Sequence, residues 1–539
     1  METDLKDAYF DIVVVGTGLP ESVLAALLAS SGKSILHIDS RPFYGGDWAT
    51  LSLSKLKRFF SSSYLSENGT SEAKKAPTEL EHTIRRKWQF QQYTDITLLP
   101  VKENSSFSDV QIVDHCSEDW LDRTQIDLTP QIILGSGEAV NMLVHSQAAS
   151  YLEFRGVDEI LWLDESGEPQ KVPTSRNDIF RSTLLTPVEK RIFMKFLKTC
   201  AAYEQSLVQY EGHDGGLLSA GQVVSSYEEA EREQIQKWCE CFHCVDDWLD
   251  QLHFTDRLKR YLFALLDCCG EKYESCAVAT AVKRISQYCC AVQRFRISSG
   301  FLYSKYGTGD ICEALCRRCA VHGGVYILNR QLAYLICDSS LQVIGLVTDH
   351  GDIIRCSVVV GSSNWEVDYT DSSCMRRLPT EKGRWKLYMV LDRPLVLPGR
   401  GVCVFTIQVV DTSLSNECYL VEGLQIEQQV DSLHTVYVLY LLCDDIEHGK
   451  IAVMHALKQL MHPVTMDSEV AHRSSDLSQL SKHFRGLKYA CIGYCRDWEP
   501  GIQLGHYYSC YLEKDIHSIQ TRVDQVYPFY ENIMREWDS

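Results

Sequence analysis

No run of apolar residues in this 539-residue chain reaches the ~20 needed to cross a bilayer as a helix. The opening METDLKDAYF lacks the basic stretch followed by an apolar one that marks a secretory leader. The 22 cysteines therefore read as reduced cytosolic thiols, many of them small buried apolar groups, and not as a disulfide framework. Cations are in deficit: 53 Lys and Arg stand against 72 Asp and Glu, a formal net charge of −19. That balance argues against a nucleic-acid binder and gives no general attraction to anionic membranes; it suits a basic patch on a partner, although a solvated acidic surface is the commoner explanation. Catalytic signatures are missing too, with no G-x-S-x-G elbow, no H-E-x-x-H and no Walker loop. The final DQVYPFYENIMREWDS offers no cysteine for prenylation. What is present, 45% hydrophobic residues with a normal aromatic share, describes a globular chain long enough for two or more domains.

The most informative stretch is Phe10 to Trp48, which reads as a dinucleotide-binding unit with spoiled phosphate chemistry. Phe10 to Val15 is a β-branched run, Gly16-Thr17-Gly18 makes a tight turn, and Val23, Leu24, Leu27 and Leu28 fall at helical spacing before Gly32. A second buried strand, Ser34 to Ile38, closes the βαβ unit at Asp39. In a working G-x-G-x-x-G loop the third glycine lets helix and strand pack closely, and the helix N-terminus meets the pyrophosphate. Here that position is Glu21, an anion where the helix dipole would otherwise attract one. Pro20 is harmless in the first turn. After the second strand flavin amine oxidases commonly carry Gly-Gly-Arg, whereas this chain has Gly45-Gly46-Asp47. Two acids at phosphate-facing positions argue against a bound FAD.

The same residues carry a resemblance. GTGLPES followed by LHIDSRPFYGGDWATLS strongly resembles the first conserved region of the Rab escort proteins, sisters of the Rab GDP-dissociation inhibitors. Asp127 to Gly156 is similar to the family's second block, VPTSRNDIF with VEKRIFMKFL to the start of its helical domain, and Phe301 to Asn329 to its third block. The resemblance covers most of 8–60 and 126–362 and thins toward the C-terminus. It implies an α/β, flavoprotein-like (FAD/NAD(P)-binding-type) multi-sheet domain with an inserted all-helical domain, and no cofactor. It also carries over three residues for Rab contact: Tyr44 in SRPFYGG, and Asp310 and Arg317 in YGTGDICEALCRR. Asp310 replaces the family's usual glutamate, Cys312 replaces a common proline, and the seven-residue spacing lets Asp310 and Arg317 share a helix face.

The domain expectation follows. Residues 1–60, 126–172 and 296–539 form the flavoprotein-like domain and Rab-binding platform; 61–125 is a polar insert or loop; 173–295 is the helical domain. In that last segment Val188, Ile192, Phe193, Phe196, Leu197 and Cys200 line one helix face, with Lys190, Arg191, Lys195 and Lys198 on the others. Cys241-Phe-His-Cys244 and Cys316-Arg-Arg-Cys319 have metal-like spacing, but both fall in segments of helical periodicity and no metal is expected. After the third block a hairpin and the buried run Cys356 to Val360 should return the chain to the sheet begun at residue 10. Strand-like RWKLYMVLD, GVCVFTIQVV, TVYVLYLLC and YACIGY follow, with one helix-like IAVMHALKQLM.

By resemblance, partners are GDP-form Rab GTPases, the Rab geranylgeranyltransferase heterodimer through its α subunit, and the geranylgeranyl groups of the Rab. Membrane contact is transient during delivery, the location is cytosolic, and the chain has no catalytic site of its own. Two readings stay open beside the escort: a GDP-dissociation inhibitor recycling prenylated Rabs, and a flavin amine oxidase-like enzyme.

Overall fold

The computed structural model describes residues 8–64, 78–88, 96–164, 167–201, 226–268, 276–295, 297, 299–362, 364–367, 383–397, 400–411, 417–444, 447–465, 477–482, 486–496, 507–510 and 526–538. Its opening unit is β1 (Tyr9–Val15), α1 (Leu19–Ser30) and β2 (Ile35–Asp39). β1 pairs in parallel with β2 on one side and with β3 (Ile353–Ser362) on the other, Val13 opposite Val359 and Val15 opposite Gly361. The sheet begun near residue 10 is thus completed some 340 residues later, and the preceding strand Val343–Thr348 makes the expected hairpin with β3. Val325–Leu328 extends the parallel wing beyond β2. Alternation along β1 feeds two cores: Ile12 and Val14 pack on the α1 side, Val13 and Val15 on the opposite face. Strands buried on both faces need such continuous apolar runs.

A second sheet of eight strands is mostly antiparallel and contains Gly383–Leu391, Val402–Asp411, Thr435–Cys443 and Leu487–Arg496, all legible as apolar runs. Leu387, Met389 and Leu391 pack with Met454 and Leu457 of the helix Gly449–Thr465. Tyr388 and Val390, on the other face, belong to the core shared with the helical segment. The strand Glu417–Gln429, at the middle of this sheet, was not anticipated.

Residues 61–125 are not a polar loop where they are described. A helix, Thr78–Trp88, buries Ile84 and Trp88 against Leu98, Ile336 and Val347. Thr97–Glu103 pairs with Leu332–Cys337 in the first sheet, and Phe107–Asp114 edges the second. Thr97–Glu103 buries only Leu98 and Leu99, and Phe107–Asp114 only Phe107, Ser108 and Val113, so few apolar residues mark either strand against the segment's mean polarity. The serine-rich 65–77 lies outside the described residues.

From 176 to 295 the described chain is helical: α2 (Arg176–Arg181), α3 (Pro187–Ala201), then Ser226–Cys241, Val245–Gln251, α4 (Asp256–Cys268) and Val278–Phe295. Phe196 is the hub of an aromatic core, its ring centroid 5.0 Å from Phe254 and 5.3 Å from Trp248. α4 packs on the second sheet's Glu159–Leu163 and Val402–Asp411. One member of the expected α3 face is misplaced: Val188 is exposed while Glu189 is buried. The helix starts at Pro187, so its first turn projects past the core, and Glu189 folds in as a cap. Finally α5 (Thr308–Val321) covers α1 and inserts Ile311 and Leu315 into the same core as Val14 and Leu24.

Candidate functional site

Two places compete: the glycine turn inherited from a dinucleotide fold, and the surface of α5 beside it. At the turn, Glu21 folds back over the backbone, so that a Cβ on Gly18 would lie 2.6 Å from its Oε2 and 3.4 Å from Trp48 Cδ1. Burial pushes Glu21 up to about 7, against hydrogen bonds from its own backbone N–H and Ser362. The Thr17 amide and hydroxyl both donate to Asp39 Oδ2, at 2.7 and 2.5 Å, and Gly45 N–H donates to Thr17 O at 3.1 Å. The 45–48 turn is thereby drawn down onto 16–18. Asp47, expected to face a phosphate, accepts from Arg41 Nη2 at 2.7 Å and from Ser106 Oγ at 2.5 Å. Burial works against the Arg41 charge, but Asp47, Glu103 and Asp39 hold its pKa above the ordinary arginine value. Carboxylates thus crowd the turn where a dinucleotide fold places its pyrophosphate, and Asp47 pairs with the nearby Arg41.

The surface of α5 is built differently. Its N-terminus is fixed by Asp127, a fully buried carboxylate accepting from Thr308 N–H at 3.0 Å and from the hydroxyls of Thr50 at 2.5 Å and Tyr303 at 2.7 Å. Burial raises the Asp127 pKa. Gly307 precedes the helix at φ +93°, and a Cβ there would lie 2.3 Å from Asp127 Oδ1. Only glycine fits this left-handed, crowded position.

All three sequence-predicted residues stand along this helix. Tyr44 sits edge-on to Tyr326 at 5.8 Å and lies near Glu313 and Cys316. Burial, then those neighbours, raises its phenol. Asp310 is half-buried, pushed up to about 6 by burial and by the nearby carboxylates Glu313 and Glu153. Its Oδ2 has no hydrogen-bond partner among the described residues. Arg317 is exposed and lays its guanidinium over Tyr151, 4.3 Å from the ring centroid. Asp310 and Arg317 thus flank one strip of α5 that runs beside Tyr151–Glu153, but they do not pair with each other. Sequence reasoning missed Glu313, Tyr151, Glu153 and the anchor Asp127. Glu313 was findable, standing three residues after Asp310 and four before Arg317.

The cysteine pairs separate. Cys316 and Cys319 are buried within α5, and burial pushes Cys316 up to about 12. Cys241 and Cys244 are both exposed, but they do not share a helix: Cys241 ends one and Cys244 caps the next.

A family model described as GDP dissociation inhibitor matches residues 5–76 and 114–374 of this chain. "Rab escort protein 1" of Arabidopsis thaliana is 31% identical over 346 residues, 62% of this chain and 56% of that protein. "Rab proteins geranylgeranyltransferase component A" of Drosophila melanogaster is 28% identical over 358 residues, 66% of this chain and 60% of that protein. The chain therefore spans less than two thirds of the length of either relative. The crystal structure of a Rab GDI from Plasmodium falciparum shares the fold, with a TM-score of 0.59, 16% identity and 98% of each chain covered.

Proposed function

This chain belongs to the GDP dissociation inhibitor family, and from that premise we propose that it is an escort for GDP-form Rab GTPases. The observation that carries the reading is the convergence of Tyr44, Asp310 and Arg317 along α5, within segments matched by the family model. A phenol, a carboxylate and a guanidinium stacked on a second phenol make the kind of amphipathic, rigid surface found at binding hot spots. The Rab's globular part docks there. The helical segment 173–295 engages the geranylgeranyltransferase α subunit, and the Rab's C-terminal cysteines are held near that enzyme's active site. Tethering turns a disordered tail without a recognition motif into an intramolecular substrate of high effective concentration. The chain itself supplies no catalytic step and no flavin. After transfer it stays with the lipidated Rab in the cytosol until membrane delivery, because prenyl chains left in water cost about 0.8 kcal/mol per methylene. Phe196, Trp248 and Phe254 are buried against one another, so lipid shelter at that point requires those helices to part.

The second reading, a GDP-dissociation inhibitor that extracts prenylated Rabs, rests on the family description itself. Single-turnover geranylgeranyl transfer to an unprenylated GDP-bound Rab, with and without this chain, separates the two. Strict dependence on the chain is expected; no stimulation together with release of prenylated Rab from membranes would reassign it. Tyr44→Ala and Arg317→Ala should each weaken Rab binding by roughly tenfold or more at unchanged thermal stability.

A further inference from the structure

The α2–α3 turn combines three features that seldom coincide. Phe180, Leu184 and Val188 are apolar side chains left 65%, 44% and 67% exposed on this tip. Around them the chain, acidic overall, is locally cationic: Arg176, Arg181, Lys190, Arg191, Lys195 and Lys198 stand against two acids in 176–198. Both acids are turned inward. Asp178 closes a capping box with Ser175, and buried Glu189 accepts from Thr186 N–H and Oγ1, each at 2.8 Å, and from Thr255 Oγ1 at 2.6 Å. Two carbonyls of the tip have side-chain donors: Lys190 Nζ donates to Phe180 O at 2.8 Å, and an Arg257 guanidinium N–H donates to Leu184 O. On α4 the exposed Asp256 is followed by Arg257 and Arg260.

We propose that this tip docks on an anionic lipid surface, Phe180, Leu184 and Val188 entering the headgroup–acyl boundary while the arginines and lysines meet acidic headgroups. Backbone groups carried into a poorly hydrating layer must be satisfied internally, and these caps and carbonyl bonds do that for the Asp178 and Thr186 amides and the Phe180 and Leu184 carbonyls. Long cationic side chains reach back to the headgroup level while their stems lie along the apolar tip. High exposure favours a surface that is penetrated over a groove that grips. The net charge of −19 opposes general adsorption, so contact is confined to this tip and oriented by it.

The inference extends the membrane step of the proposed function, but its test uses the full chain without any Rab or transferase, so the two fail separately. Cosedimentation is measured with large vesicles of phosphatidylcholine alone or with ~30% phosphatidylserine. Binding is expected only to the serine-lipid vesicles, falling about tenfold or more in Phe180→Ser/Val188→Ser and likewise in Arg181→Glu/Arg191→Glu. All four side chains are exposed, so circular dichroism melting should match wild type. Equal partition of wild type and both variants would overturn the proposal. So would absence of vesicle binding with retention of the wild type on an immobilised acidic peptide, which would assign the tip to an acidic protein.

Discussion

Glu21 and His37 both lean on the Gly16–Gly18 turn and titrate in opposite senses. His37 Nε2 donates to Gly16 O, its Nδ1 has no partner among the described residues, and burial pulls its pKa down to about 4. A folded state that keeps this imidazole neutral is favoured above pH ~6.5, and that contribution is lost as pH falls toward ~4. Burial raises Glu21 to about 7, so its contribution is complete below ~4.5 and is lost as pH rises through ~7. Each swing amounts to about 3 kcal/mol at most, and between pH ~4.5 and ~6.5 the two offset each other. Glu21→Gln should therefore gain stability relative to wild type on going from pH ~4.5 to ~8, and His37→Gln should gain on going from ~6.5 down to ~4. Urea melts of the three proteins across that range check this; parallel pH profiles would mean that neither group is buried in the ionisable form described.

At the scale of elements, the platform depends on how α5 is held. Asp127 accepts from four donors, and without it the Thr308 amide and hydroxyl, the Tyr303 phenol and the Thr50 hydroxyl lose their acceptor in the interior. Asp127→Ala should cost about 3 kcal/mol or more, and Gly307→Ala more than about 2 kcal/mol because φ +93° and the Cβ clash act together. Both should lower thermal stability and Rab affinity together, whereas Arg317→Ala should lower affinity alone; differential scanning calorimetry beside binding measurements tells the two classes apart. Elements differ likewise in how readable they were. β1, α1 and β2 were legible because burial on both faces demands unbroken apolar runs, and the second sheet's strands at 383–443 for the same reason. Glu417–Gln429 was not, since VEGLQIEQQ scatters glutamates and glutamines through a central strand. Val188 matched the helical period of α3 and still faces solvent, because periodicity gives a face but not where the core stops. On the site, motif resemblance found Tyr44, Asp310 and Arg317; it could not find Tyr151, which reaches Arg317 only through the packing of a distant segment on α5.

Over the whole molecule, charge is sorted by place. Asp310, Glu313 and Glu153 cluster beside the platform, while the exposed charges of the α2–α3 turn are positive. A GTPase partner meeting the platform through a basic patch would be drawn by the acidic field before contact, and such steering acts on the association rate and is screened by salt. Close contacts formed after desolvation, such as a partner group seated on Tyr44, are screened far less. Raising ionic strength from ~20 mM to ~0.5 M should therefore slow Rab association by about tenfold or more while changing dissociation little. Glu313→Gln with Glu153→Gln should flatten that dependence without altering dissociation, whereas Tyr44→Ala should leave the slope in place and speed dissociation. Stopped-flow association and dissociation rates over this salt range separate the two contributions. An association rate indifferent to salt would mean that the acids beside α5 serve only to keep the surface solvated, leaving recognition to the apolar and stacked groups.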